Sequence, residues 1–155
     1  MKGNSDVRKR LAEYLAGLTT ISLATTGPTG EPCAAAVYFA ADADLRLYFL
    51  SDKKTIHAQN LLRDSRAAAT AHDEHQDWKT LRGAQLRGEA RPVGALEFPS
   101  AAACYAAKFP FVAAEMGPAA LAKALASSSF WVFFPLWVRI IDNSQGFGHK
   151  DEIDF

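Results

Sequence analysis

Phe130-Trp131-Val132-Phe133-Phe134-Pro135-Leu136-Trp137-Val138-Arg139-Ile140-Ile141 is the stretch whose reading decides the fold. At strand spacing it has two faces, Phe130/Val132/Phe134/Leu136/Val138/Ile140 and Trp131/Phe133/Pro135/Trp137/Ile141, both apolar and broken mainly by Arg139. An antiparallel sheet usually leaves one face to water, so a strand that is apolar on both sides needs a second cover. Alanine-rich helices upstream, or another subunit, would supply it. Pro135 removes a ladder donor and predicts a bulge or an edge at that point. The run is far shorter than the ~20 apolar residues that span a bilayer.

Working back from this strand, helix and strand signals alternate. Val7, Leu11, Tyr14, Leu15 and Leu18 recur at helical spacing, which predicts an amphipathic helix capped by Asn4 or Ser5 and ending near Gly17. Three strand-like segments follow, Thr20 to Thr26, Cys33 to Ala41 and Leu45 to Leu50. Gly27-Pro28-Thr29-Gly30 and Asp42-Ala43-Asp44 divide them and imply antiparallel hairpins. Asp52 to Arg63 reads as a helix, with Ser51 or Asp52 as its cap and Ala58, Leu61 and Leu62 on its buried side. Arg66 to His72 is a small-residue strand, and Arg82 to Val93 alternates Ala84, Leu86, Gly88 and Ala90 against Gln85, Arg87, Glu89 and Arg91. Helical signals run from Pro99 towards Phe109 and from Gly117-Pro118 through Leu125. Six strands with short helices between them predict a mainly β domain, a six-stranded antiparallel barrel with flanking helices. The two-sided last strand makes a homodimer the preferred completion. One domain fills residues 1–155: a helix over 1–18, a barrel with inserted helices over 19–142, and a tail over 143–155.

Seventeen Lys+Arg balance seventeen Asp+Glu in 155 residues. That balance argues against a dedicated nucleic-acid or anionic-membrane binder, whose affinity would rest on neutralising phosphates. Cys33 and Cys104 cannot make a disulfide framework and fit a reducing compartment. No apolar stretch follows the charge at Lys2, so no secretory signal is read, and the expected setting is cytoplasmic.

The chemistry concentrates where the third strand meets the next helix, at Ser51-Asp52-Lys53-Lys54-Thr55-Ile56-His57. Unpaired backbone N–H groups, the hydroxyls of Ser51 and Thr55, and the cations Lys53 and Lys54 would converge there and favour an anion such as a phosphate. An ordinary capped helix with solvated lysines is the rival reading, and the carboxylate of Asp52 favours it. Gln85, on the polar face of its strand, offers a donor and an acceptor suited to the edge of a heterocycle; alone it is also an ordinary surface glutamine. Trp78, Trp131 and Trp137 are core or interface aromatics, one of which would line a pocket for a flat ring. His72-Asp73-Glu74-His75 lacks the spacing that would put both histidines on one helical face, and a solvated acidic loop is preferred to a metal site. His149 lies in the glycine-rich Gly146-Phe147-Gly148-His149 and is expected to be exposed, with reach to a partner's pocket as the alternative.

The order Gly30-Glu31-Pro32, strand Cys33 to Ala41, Leu47-Tyr48-Phe49-Leu50-Ser51, His57-Ala58-Gln59-Asn60-Leu61, Arg66-Ala67-Ala68-Ala69-Thr70 and Arg82-Gly83-Ala84-Gln85-Leu86-Arg87-Gly88 resembles the pyridoxamine 5′-phosphate oxidase-like family of FMN-binding split barrels. The ending from Ile141 to Glu152 resembles its YhbP-type branch. The resemblance implies a homodimer with two FMN sites at the subunit interface and a small-molecule substrate of unassigned identity. It places Ser51 and His57 at the FMN phosphate, Lys53, Lys54 and Thr55 beside them, and Gln85 at the isoalloxazine edge; Trp78 is the aromatic assigned to the pocket. Ala35 and Ala40 stand where the vitamin-producing members carry an arginine and a lysine, and Ile56 replaces another basic residue. The carboxy-terminal arginine and histidine that hold their substrate have no counterpart, so vitamin-B6 synthesis is not implied. The expected activity is that of an FMN-dependent oxidoreductase. The alternatives are a haem-binding or haem-utilisation barrel, with His149 as the candidate histidine, and a non-catalytic dimeric binding module; a deazaflavin in place of FMN is a lesser variant.

Overall fold

The computed structural model describes residues 3–74, 76–111, 114, 119 and 128–155. The second alanine-rich helix expected from Gly117 falls outside them, apart from one position. Helix α1 (Asn4–Ala16) leads into β1 (Thr20–Thr26), β2 (Pro32–Ala41) and β3 (Leu47–Asp52), then α2 (Ile56–Arg63). β4 (Arg66–His72), β5 (Arg82–Pro92), α3 (Phe98–Lys108), β6 (Ser128–Asp142) and β7 (Lys150–Asp154) complete it. All pairings are antiparallel, in the order β3-β2-β1-β4-β5-β6-β7, and a further β3–β6 ladder closes six strands into a barrel. The seventh strand is added outside the closed ring.

Closure works because β6 is long enough to serve three neighbours. Its first half pairs with β3, its second half with β7, and β5 runs along its other edge throughout. Its side chains also change sides partway. Trp131 and Phe133 point into the main core before the irregularity, and Val138 and Ile140 do so after it. The shift falls where Arg87 pairs with Trp137 but Gly88 with Pro135, which leaves Leu136 as the extra residue. Pro135 therefore sits at the expected bulge. A Cβ on Gly88 would overlap the Phe134 carbonyl, so the close approach there requires glycine.

The second cover of β6 comes from this chain. Phe130 packs with Tyr105, Phe109 and Ala40, and Val132 with Tyr48 and Ala101, beneath α3. The apolar outer face thus does not by itself demand a second subunit, because only Leu136, at 53% exposure, is left largely open. On the inner side, Leu47, Phe49, Leu23, Ile21, Leu86 and Trp131 fill the barrel, and Leu11 and Leu15 of α1 join the same cluster. Lys108 ties α3 to α1 by donating to the Leu15 carbonyl at 3.2 Å, and burial brings its amine down to about 8.

Residues 143–155, expected as a tail, form a 3-10 turn and then β7, whose Ile153 is buried in the main core. Arg10 of α1 pairs with Asp151 of β7, and Arg8 lies 4.0 Å from the ring centre of Phe155. No helix among the described residues is long and apolar enough to cross a membrane.

Candidate functional site

At the end of β3 the chain leaves β2 and stays with β6. The β2–β3 ladder stops at Phe39↔Phe49, while Ser51 and Asp52 still pair with Ser129 and Ser128. The indole N–H of Trp131 donates to the Ser51 carbonyl at 3.4 Å and fixes this point. Helix α2 starts later than expected, at Ile56, with Thr55 as its cap. The cause is local: the Asp52 carboxylate accepts the Lys54 N–H at 2.7 Å, and the Asp52 carbonyl accepts the Thr55 N–H at 3.1 Å. These bonds make a tight turn out of residues that would otherwise begin the helix.

That turn brings Ser51, Thr55 and His57 together. Ser51 Oγ lies 2.7 Å from His57 Nε2 and 2.9 Å from Thr55 Oγ1, and the last two atoms are 3.3 Å apart. Thr55 Oγ1 also donates to the Asp52 carbonyl and accepts from the Ala58 N–H. Burial holds the His57 imidazole below its ordinary 6.5. Lys53 and Lys54 are exposed on the turn, and neither amine meets a carboxylate among the described residues. The Ser51 hydroxyl, an imidazole and two free amines form a donor set that fits a phosphate, with Thr55 holding the turn that gathers them. Ala35 is half-buried on the inward row of β2, and Ala40 is wholly buried against Tyr105, Phe109 and Phe130.

A second feature lies on the outer sheet face. The register aligns Ala36, Ser22, Thr70, Gln85, Arg139 and Glu152 in one rank across β2, β1, β4, β5, β6 and β7. The next rank is Ala34, Ala24, Ala68, Arg87, Trp137 and Asp154. Small side chains on three strands, beside long ones on the next two, leave a groove of about 590 Å³ with an alanine floor and a wall of Gln85, Arg87, Trp137 and Arg139. Trp137 stands between two guanidinium groups, with Arg87 4.1 Å and Arg139 5.1 Å from a ring centre.

Of the residues read from the sequence, Ser51, Thr55 and His57 meet, Lys53 and Lys54 flank them, and Gln85 lines the groove. Trp78 does not line it. It is 61% exposed on the turn after β4, edge-on to Phe147 at 6.0 Å, with its carbonyl bonded to Asn143. Trp137 is the indole of the groove, and Arg87 and Arg139 join it. Alternation marks Arg87 as outward, but only the bulge puts Trp137 beside it. His149 precedes β7 and bonds to Asp151 at 3.2 Å, and His72 contacts the Asp73 carbonyl. His75 lies outside the described residues, among which no cluster of metal-ligating side chains forms.

A closed six-stranded barrel that splits between two neighbouring strands, with polar groups gathered at the split and an open groove on its outer face, is a split-barrel architecture. The family model for pyridoxamine 5′-phosphate oxidase matches residues 7–140, and the chain belongs to that family. It is 30% identical over 118 residues to the UPF0306 protein YhbP of Escherichia coli O157:H7, covering 76% of this chain and 73% of that protein. The fold is similar to a pyridoxinephosphate oxidase-family protein of Clostridium acetobutylicum related to general stress protein 26, with a TM-score of 0.70, 10% identity, and 99% and 97% of the two chains covered. It is also similar to a haem-binding protein of Mycobacterium smegmatis, with a TM-score of 0.75 and 20% identity; the match takes in 95% of this chain and 57% of that one.

Proposed function

We propose that this protein binds FMN and acts as a flavin-dependent oxidoreductase on a small molecule, as a homodimer whose second copy covers the outer groove. The observation that carries the reading is the convergence of Ser51, Thr55 and His57 at the split, flanked by Lys53 and Lys54, in a chain that also presents Gln85 in an open groove. FMN, when bound, supplies hydride or electron transfer. Ser51 holds its phosphate by a hydroxyl hydrogen bond and His57 adds a second donor, charged once protonated, while Thr55, whose hydroxyl proton goes to the Asp52 carbonyl, fixes the turn beside them. Lys53 and Lys54 contribute positive potential from the turn. Gln85 presents both a donor and an acceptor to the ring edge, and Trp137 limits access of water from β6. The haem alternative would need an imidazole in the groove, and no histidine is among the described residues that line it.

Quenching of FMN fluorescence on titration with protein tests the phosphate site. Lys54→Ala combined with His57→Ala is expected to weaken binding by about tenfold or more, since charge-assisted hydrogen bonds are lost. Lys79→Ala, on the exposed turn after β4, is expected to stay within about twofold. Equal affinities in both variants would place the phosphate elsewhere.

A further inference from the structure

Arg87 differs from its neighbours in what it lacks. Arg139 is paired with Glu152 at 2.7 Å, Arg66 with Asp64 at 2.7 Å and Arg91 with Glu97 at 2.8 Å. Among the described residues no carboxylate comes within ion-pair distance of Arg87. Its guanidinium lies instead against Trp137, 4.1 Å from the ring centre. A guanidinium held over a ring makes no hydrogen bond to a conventional acceptor, so this contact restrains the fork without satisfying its N–H groups. A second depression, of about 630 Å³, shares Ala24, Ala68 and Arg87 with the groove, so this side chain stands where the two meet. The floor beside it is made by Ala24, Ala34 and Ala68, with Ser22 and Thr70 in the next rank, and side chains this small let a flat ring lie there with little steric cost.

We infer that Arg87 is the anion-receiving group of the groove, and that the groove takes a planar conjugated acid, its ring over the alanine floor beside Trp137 and its acid group on the Arg87 fork. The inference rests on the flavin reading only in making this ligand the substrate; binding of the acid itself does not depend on it. Arg87 acts here as a specificity-determining residue, with Trp137 positioning it.

The probes are anilinonaphthalene sulfonate and the neutral phenylnaphthylamine, which has the same rings without the acid. Both are titrated by fluorescence into the full chain without flavin. The sulfonate is expected to bind about tenfold more tightly than the neutral probe, the scale of one charge-assisted contact. Arg87→Gln is expected to reduce that preference to within about twofold, and Arg87→Lys to retain part of it, because charge remains while the fork is lost. Arg91→Gln, on the same strand but already paired with Glu97, is expected to keep it. Equal binding of the two probes would overturn the inference, as would a preference that survives Arg87→Gln or disappears equally in Arg91→Gln. FMN quenching by the wild-type chain, measured in parallel, separates the two ideas: lack of quench removes the flavin reading, and lack of acid preference removes this one.

Discussion

His57 is held in a half-buried place against Ser51, and burial keeps its imidazole below the 6.5 it would have unfolded. Between the folded value and 6.5 the unfolded chain binds more protons, so stability rises with pH through that window and is level above it. Urea midpoints measured from about pH 5 to pH 8 are expected to fall towards the acid end, less steeply in His57→Gln. A wild-type curve identical to that of His57→Gln would show that His57 is not desolvated. An anion at the cluster has the opposite effect on the ring, favouring its protonated form, so FMN affinity is expected to tighten as pH falls through the same range. This part of the candidate site is legible in the sequence because Ser51, Thr55 and His57 are close along the chain and a single strand-to-helix turn suffices to gather them. The groove is not legible in the same way. Arg87 and Trp137 are far apart in sequence, and which indole lies beside Arg87 depends on a β5–β6 register that alternation alone does not give.

Among the elements, β6 shows what a hydrophobic pattern can and cannot say. Its double-sided apolarity signals two covers, and the structure supplies the barrel core on one side and α3 on the other. The pattern does not reveal that the faces exchange at Leu136, since a bulge advances the period by one residue without altering composition. Gly88 permits the exchange. Gly88→Ala would drive a Cβ into the Phe134 carbonyl and is expected to cost about 2 kcal/mol or more, read as a lowered Tm. Gly83→Ala, with the Ala71 carbonyl 3.6 Å away, is expected to change stability by no more than about 0.5 kcal/mol. Comparable losses in both would mean that the close approach at Gly88 is not what sets the bulge. Strand β7 escapes sequence reading for a different reason. Lys150-Asp151-Glu152-Ile153-Asp154 carries one apolar residue, Ile153, and its place is secured by pairing with β6 and by Arg10 on Asp151.

Across the whole molecule, the closed ring was predictable from six strand signals and short turns, whereas of the two reasons for expecting a second copy, the double-sided strand and the family resemblance, the fold removes the first. Helix α3 covers the outer face of β6, and the case for a dimer passes to the two ranks of outward side chains that run from β2 to β7 around the groove. A sheet face floored by alanines allows close approach of another flat surface, and a ring held in the groove would be shielded from water by that approach. The central claim is that the chain binds flavin and pairs with a second copy whose approach covers this groove. Sedimentation velocity of the full chain with equimolar FMN, followed both by protein absorbance and by flavin colour, tests it most directly. The account predicts that the flavin moves with a species of twice 16.8 kDa; a folded chain sedimenting at 16.8 kDa while the flavin stays free would contradict it.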